Sequence, residues 1–128
     1  MSVRIVRLGS SRLPNEGVRL GTVRRPPRGV AKSDFARLNW YDLWLPELAP
    51  RPDTIKLVLH SANDRAWARF VRSYRAEMKQ PTAAHLLALL ANLSHTSDFS
   101  VGCYCTDEAR CHRSILRELL REAGARFA

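Results

Sequence analysis

The 128-residue sequence contains no apolar run approaching the ~20 residues a membrane-spanning helix needs, and its start, Met1-Ser2-Val3-Arg4, holds no apolar signal core. Cysteines number only three, too few and of the wrong parity for a disulfide framework. These absences predict a cytoplasmic protein with reduced thiols and no membrane partner. Acidic residues are also scarce: 12 Asp plus Glu stand against 21 Lys plus Arg, a formal charge of +9. That balance favours phosphate-bearing partners, whether nucleic acid, nucleotide or small anion, although a solvated basic surface has the same composition. No block of like charge reaches five or six residues, and no aromatic platform interleaves with the basic ones. Nucleic acid is therefore the secondary expectation, behind a small anionic or phosphate-bearing ligand. No repeat or composition break divides the chain, and its length suits one domain spanning 1–128. Nothing in it sets an oligomeric state.

What is present is concentrated between Phe99 and Ala123, where all three cysteines, one of four histidines and several arginines meet. A strand through Phe99, Val101, Cys103 and Cys105 sends those side chains to one face and Ser100, Gly102 and Tyr104 to the other. The stretch from Ser114 to Ala123 is amphipathic at helical spacing, with Gly124 where a C-terminal cap belongs. Continued back one turn, that helix places His112 on the apolar arc facing the sheet and Arg113 at its edge. A strand handing over to a helix gathers free N–H groups and the positive end of the helix dipole.

Three readings of this junction follow. In one, Cys103 and Cys105 are small buried hydrophobes of a core strand. In the second, Cys111, His112 and Arg113 bind a phosphate or carboxylate, with one thiolate reacting. In the third, Cys103, Cys105, Cys111 and His112 hold zinc or iron, against which their spacing argues. A tyrosine-phosphatase loop is excluded, because the position six after Cys105 holds Cys111 rather than arginine.

Elsewhere, Val3 to Leu8 reads as a strand, and Arg19 to Val23 as a second after the turn Pro14-Asn15-Glu16-Gly17. The loop Arg24-Arg25-Pro26-Pro27-Arg28-Gly29 cannot be regular. It leaves a strand end, as the cysteine loop does, so the two are expected to share one pocket outside the carboxyl ends of a parallel sheet. Trp40, Tyr41 and Trp44 are expected to plug a core or wall a cleft. Ile55 to Leu59 is ambiguous between helix and strand. Asn63 or Asp64 caps a helix whose Trp67, Phe70, Val71, Tyr74 and Met78 form a core stripe, and Ala83 to Leu93 reads as a helix buried on most sides. His60, His85 and His95 stand isolated and are read as structural or exposed.

One succession covers nearly the whole chain: an early strand, Gly17-Val18-Arg19, Pro27-Arg28-Gly29-Val30-Ala31-Lys32, Trp44-Leu45-Pro46-Glu47-Leu48-Ala49-Pro50, Trp67-Ala68-Arg69-Phe70 with Tyr74 and Glu77, and Cys111-His112-Arg113-Ser114. It resembles the YeaO-like branch of domain-of-unknown-function family 488. The resemblance implies a small α/β domain with no established activity, cofactor or substrate. Its recurrent positions fall here on Arg28, Gly29, Trp44, Glu47, Pro50, Tyr74, Glu77, Cys111, His112 and Arg113, and it implies a helix from Thr54 to His60. The chain departs from the branch at Val23-Arg24-Arg25-Pro26, where an aspartate is usual.

The expected architecture is a three-layer α/β fold, a small and mostly parallel sheet with helices on both faces. The expected site is an anion clamp of Arg28, Arg110 and Arg113 with Ser114. Cys111 or Cys105 is its nucleophile, and His112 its proton donor or acceptor. Glu47 and Glu77 are reserve bases, with Trp44 and Tyr74 in support. No cofactor is expected; zinc or iron on Cys103, Cys105, Cys111 and His112 is the alternative. The sequence does not decide whether the protein is an enzyme.

Overall fold

The computed structural model of the chain describes residues 1–59 and 63–128, so the reading of His60 lies outside the described residues. Four strands, β1 (Val3–Arg7), β2 (Val18–Gly21), β3 (Leu43–Trp44) and β4 (Phe99–Cys103), form one sheet in the order β1-β4-β2-β3. Every pairing is parallel. Central β4 is buried along its whole length, which explains its uninterrupted small and apolar sequence, Phe-Ser-Val-Gly-Cys. Among the described residues, four α-helices pack with the sheet: α1 (Pro52–Leu59), α2 (Asp64–Met78), α3 (Pro81–Leu93) and α4 (His112–Glu122).

Register decides which side chains meet the helices. Val3 pairs with Phe99, and Val101 lies between Ile5 and Leu20, so these residues share one face. Against them pack Phe70, Tyr74 and Met78 of α2, Leu87 and Leu90 of α3, and Ile115, Leu116 and Leu120 of α4. Each fully buried leucine there contributes roughly 1.5–3 kcal/mol. The stripe anticipated on α2 is the one buried, and Asn63 is the cap, its Oδ1 accepting from the Ala66 N–H at 2.8 Å. The α/β class and the parallel sheet expected from the sequence are both present, as is the helix over Thr54 to Leu59. None of the described helices is long and apolar enough to cross a membrane.

The opposite face carries Arg19, Gly21, Ser100 and Gly102, paired side by side. A thinner layer covers it, a single 3-10 turn at Lys32–Asp34 followed by Phe35, Trp40 and Tyr41. Gly21 is required there: a Cβ would sit 2.3 Å from the Tyr41 ring. Gly17 is required at the turn into β2, where φ is 74° and a Cβ would meet the Asp98 carbonyl oxygen at 1.9 Å.

Two expectations are corrected. Cys105 is not on the strand: β4 ends at Cys103, where the last ladder-like bond runs from the Leu8 N–H to the Cys103 carbonyl at 2.8 Å, and Cys105 is exposed in the following loop. Helix α3 is buried along one face only, through Ala83, Leu87, Leu90 and Ala91, while Leu89 and Leu93 face outward because nothing packs on that side.

A candidate active-site cleft above a cysteine–histidine cluster

Because all strands are parallel, the loops leaving β1, β2 and β4 emerge on one edge, where open α/β sheets hold their ligands. A cleft of about 1230 Å³ opens there. Its walls include Arg7 to Ser10 after β1, Val23 to Arg28 after β2, residues of α1, and Cys103, Tyr104, Cys105, Arg110, Cys111 and His112 after β4. Three contacts hold the walls together. The Tyr104 hydroxyl donates to the Arg25 carbonyl at 2.9 Å, tying the cysteine loop to the double-proline loop. The Arg24 guanidinium donates to the Ala49 and Pro50 carbonyls at 3.0 and 3.2 Å. The Trp44 indole donates to the Val23 carbonyl at 2.7 Å, fixing the root of the same loop.

At the floor, Cys103 Sγ and Cys111 Sγ lie 2.8 Å apart, closer than unbonded sulfurs normally sit, at 3% and 2% exposure. His112, 7% exposed, is the first residue of α4. Its tautomer is set by its neighbours. Nε2 lies 2.7 Å from the Thr22 carbonyl, which only accepts, and 3.3 Å from the Thr22 hydroxyl, whose proton is donated to the Gly102 carbonyl. Nε2 therefore carries the hydrogen, and Nδ1 turns its lone pair toward Cys111 Sγ at 3.8 Å. Burial pulls the imidazole down to about 4, against the pull of the Thr22 carbonyl, so His112 is neutral at physiological pH. The Tyr74 ring meets it edge-on at 5.5 Å.

The three thiols divide their protons unequally. Hydrogen bonds from Cys103 and then Cys111, aided by the charges of His112 when protonated and Arg113, hold Cys105 far below the ordinary thiol value despite partial burial. Cys103 is pushed up correspondingly by its donation to Cys105 and then Cys111, with burial adding to it. Cys111 receives from Cys103, but its donation to Cys105, burial and the Cys105 charge outweigh that and push it up to about 11. The backbone N–H of Cys105 donates to Cys103 Sγ at 3.3 Å, which fixes the loop over the pair. The arrangement is one exposed sulfur, biased toward the thiolate, above two buried thiols biased toward the protonated form, backed by a neutral imidazole able to accept a proton.

The cleft brings Arg28, Arg110, Cys105, Cys111 and His112 to one surface. It does not bring Arg113 or Ser114 there. Arg113 is 4% exposed, donating from Nη2 to the Cys105 carbonyl at 2.7 Å with Nε left without a partner, while the Ser114 hydroxyl donates to the Cys111 carbonyl at 2.9 Å. Both therefore hold the loop rather than line the cavity. The reserve bases also lie elsewhere. Glu77 accepts from the Arg51 N–H at 2.7 Å and from the Thr54 hydroxyl, capping α1, and Glu47 is exposed in a 3-10 turn. Tyr74 donates to the Leu48 carbonyl at 2.7 Å, beneath the site. His85 is exposed, and His95 hydrogen-bonds through Nε2 to the Gly124 carbonyl at 2.8 Å.

Sequence reasoning missed Arg7, Lys56, Tyr104 and Thr22. Tyr104 carried little signal, because β4 ends at Cys103 and strand alternation does not reach it; it packs beside Cys103 and Cys111 instead. Thr22 carried none, because its role rests on a carbonyl.

Fold and site together define a small parallel α/β protein with a basic cleft over a cysteine–histidine cluster. The chain belongs to the DUF488-N3a family, described as the active DUF488-N3 subclade, which matches residues 3–124. Comparison with curated proteins finds no match. No solved structure matches either.

Proposed function

We propose that the cleft receives a small ligand bearing a phosphate or carboxylate and presents it to the Cys105 sulfur. One observation carries this reading: Arg7, Arg24, Arg25, Arg28, Lys56 and Arg110 line the cavity, and no carboxylate among the described residues does. Among the described residues only Arg110 of these is ion-paired, to Asp64 at 2.6 Å. Trp40, Ile55, Val58 and Phe70 add apolar wall, which suits a ligand with an uncharged body. Cys105 is the nucleophile the geometry offers, and Cys111 with His112 Nδ1 the proton relay behind it. A concave cavity of this size favours a small ligand over a nucleic-acid strand, which needs an extended track with stacking platforms.

Inorganic phosphate is the probe. Calorimetry is expected to show saturable binding, and Arg25→Glu/Arg28→Glu is expected to raise Kd at least about tenfold, since a charged hydrogen bond is worth roughly 1.5–3 kcal/mol. Binding unchanged by the double reversal would overturn the reading. So would tight binding of a short single-stranded oligonucleotide that falls steeply with salt while phosphate fails to bind.

A second reading has its own observation. Cys103, Cys111 and His112 offer two sulfurs and a ring nitrogen mutually within 4.8 Å, a donor set suited to zinc or iron. The held Nε2–H is also what metal-bound histidines show. The sulfurs would first have to part, because two thiolates on one tetrahedral zinc sit about 3.7 Å from each other at the usual Zn–S length. This reading requires one equivalent of zinc or iron in protein purified without added metal, lost in Cys103→Ser; metal-free folded protein removes it.

A further inference from the structure

We propose that the three cysteines form a thiol–disulfide relay, in which Cys105 takes up an acidic low-molecular-weight disulfide and passes the oxidation to the Cys103–Cys111 pair. The inference rests on the cleft reading only for delivery, since the six cationic side chains suit a disulfide carrying carboxylates. Its chemical core is the placement of the sulfurs. Cys105 is exposed at the cleft, whereas Cys103 and Cys111 are nearly buried at its floor. An outside disulfide therefore meets Cys105 first. The buried sulfurs at 2.8 Å need to close by less than 1 Å to reach the about 2.05 Å of a disulfide bond. The same pair would have to open to hold a metal, so closing is the smaller motion.

The steps balance. The Cys105 thiolate attacks one sulfur of the disulfide; a Cys105–ligand S–S bond forms, the ligand's own S–S bond breaks, and one ligand thiolate leaves. Cys111 gives its proton to His112 Nδ1, 3.8 Å away, and attacks the Cys105 sulfur, so that a Cys111–Cys105 bond forms and the second ligand thiolate leaves, taking the imidazolium proton. Cys103 then attacks Cys111, so that the Cys103–Cys111 bond forms and the Cys111–Cys105 bond breaks; the Cys103 proton passes by way of His112 to the first ligand thiolate, and the Cys105 thiolate is released. Two protein thiols have been oxidised by two electrons, one external disulfide has been reduced to two thiols, and Cys105 is free again. In the reduced protein the Cys105 N–H on Cys103 Sγ at 3.3 Å holds the loop folded over the pair.

The test treats the reduced full-length protein with glutathione disulfide, quenches with an alkylating agent and maps the linkages by peptide mass spectrometry. The expected product is a Cys103–Cys111 link with Cys105 alkylated. Cys111→Ser is expected to stop at the Cys105–glutathione mixed disulfide. Cys105→Ser is expected to form the Cys103–Cys111 link at least about tenfold more slowly, because the buried thiols must await local opening. Three results overturn the relay: a lasting Cys105 adduct in the wild type, a link that includes Cys105 as the end product, or Cys105→Ser oxidised as fast as wild type. Loss of stability does not imitate the expected slowing, since a loosened fold would speed oxidation of Cys105→Ser; its melting temperature is therefore measured beside wild type, and fast oxidation in a variant that melts like wild type is the overturning result. Phosphate calorimetry on the reduced wild type separates the two claims. Phosphate bound with no relay removes the relay alone, while a relay running on an uncharged disulfide with no phosphate binding removes the cleft reading alone.

Discussion

Glu16→Gln is expected to lower the melting temperature by about 10 °C or more, the largest stability effect in the molecule outside its apolar core. The Arg19 side chain is fully buried on the second face of the sheet, and Glu16 meets it with both oxygens, at 2.7 Å to Nε and 2.8 Å to Nη2. Both Nη1 hydrogens are also used, bonded to the Ser10 and Asn39 carbonyls at 2.9 and 2.8 Å, and Ser100 donates to Glu16 at 2.9 Å. Glutamine keeps the shape but turns an NH₂ toward the guanidinium and leaves a buried charge unmatched, which costs about 3–5 kcal/mol. The exposed pair Arg37–Asp34 makes the contrast, being worth only about 0–1 kcal/mol.

The same carboxylate sets an acid limit. Burial raises the Glu16 value, but the hydrogen bonds from Arg19 and Ser100 and the Arg19 charge outweigh it, so the folded value lies below the ordinary one. A depressed carboxylate stabilises the fold at every pH above its unfolded value of about 4.3–4.5, and that stability is lost as pH falls through the folded value. Thermal melts between neutral pH and pH 3 are expected to show this loss in the wild type and a flatter profile in Glu16→Gln. A variant that melts within a degree or two of wild type and keeps its acid profile would remove the ion pair from the account of stability. Because Arg19 also secures the carbonyls of Ser10 and Asn39, the damage is expected to reach the cleft walls beside Trp40.

Iodoacetamide at neutral pH is expected to take one equivalent, at Cys105, with Cys103 and Cys111 reacting orders of magnitude more slowly until the chain unfolds. The ordinary thiol, with a value near 8.5, loses about tenfold in rate for each pH unit below it. Cys105, held ionised by donation from Cys103 first and Cys111 second, with Arg113 adding its charge, is expected to react at a rate nearly independent of pH from 8 down to about 5. Cys103→Ala removes the leading donor and is expected to restore a pH-dependent rate at Cys105. Phosphate is expected to protect. Equal, slow labelling of all three cysteines before unfolding would leave the site without a nucleophile.

Much of this protein was legible as periodicity. The α2 stripe through Phe70, Tyr74 and Met78, the buried strand starting at Phe99 and the amphipathic α4 each repeat often enough to mark an element, although the strand ends at Cys103 rather than running on to Cys105. Strand β3 was not legible, because two residues carry no period and Leu43–Trp44 exists only by pairing with Leu20 and Gly21. Arg113 was misplaced for a related reason: a helix wheel gives direction but not distance, and the nearest acceptor was the Cys105 carbonyl rather than a ligand.

The sequence by itself determined the α/β class, the inward faces of α2 and α4 and the gathering of cysteines, His112 and arginines at one strand-to-helix junction, because these follow from spacing along the chain. Only the tertiary structure decided that the double-proline loop closes over that junction, that Cys105 is open while Cys103 and Cys111 are nearly buried, and which nitrogen of His112 faces sulfur. Those outcomes depend on contacts such as Tyr104 to Arg25 and His112 to Thr22, whose partners lie 79 and 90 residues apart. Hydrogen bonds to backbone carbonyls leave no trace in residue identity, so geometry alone could set them.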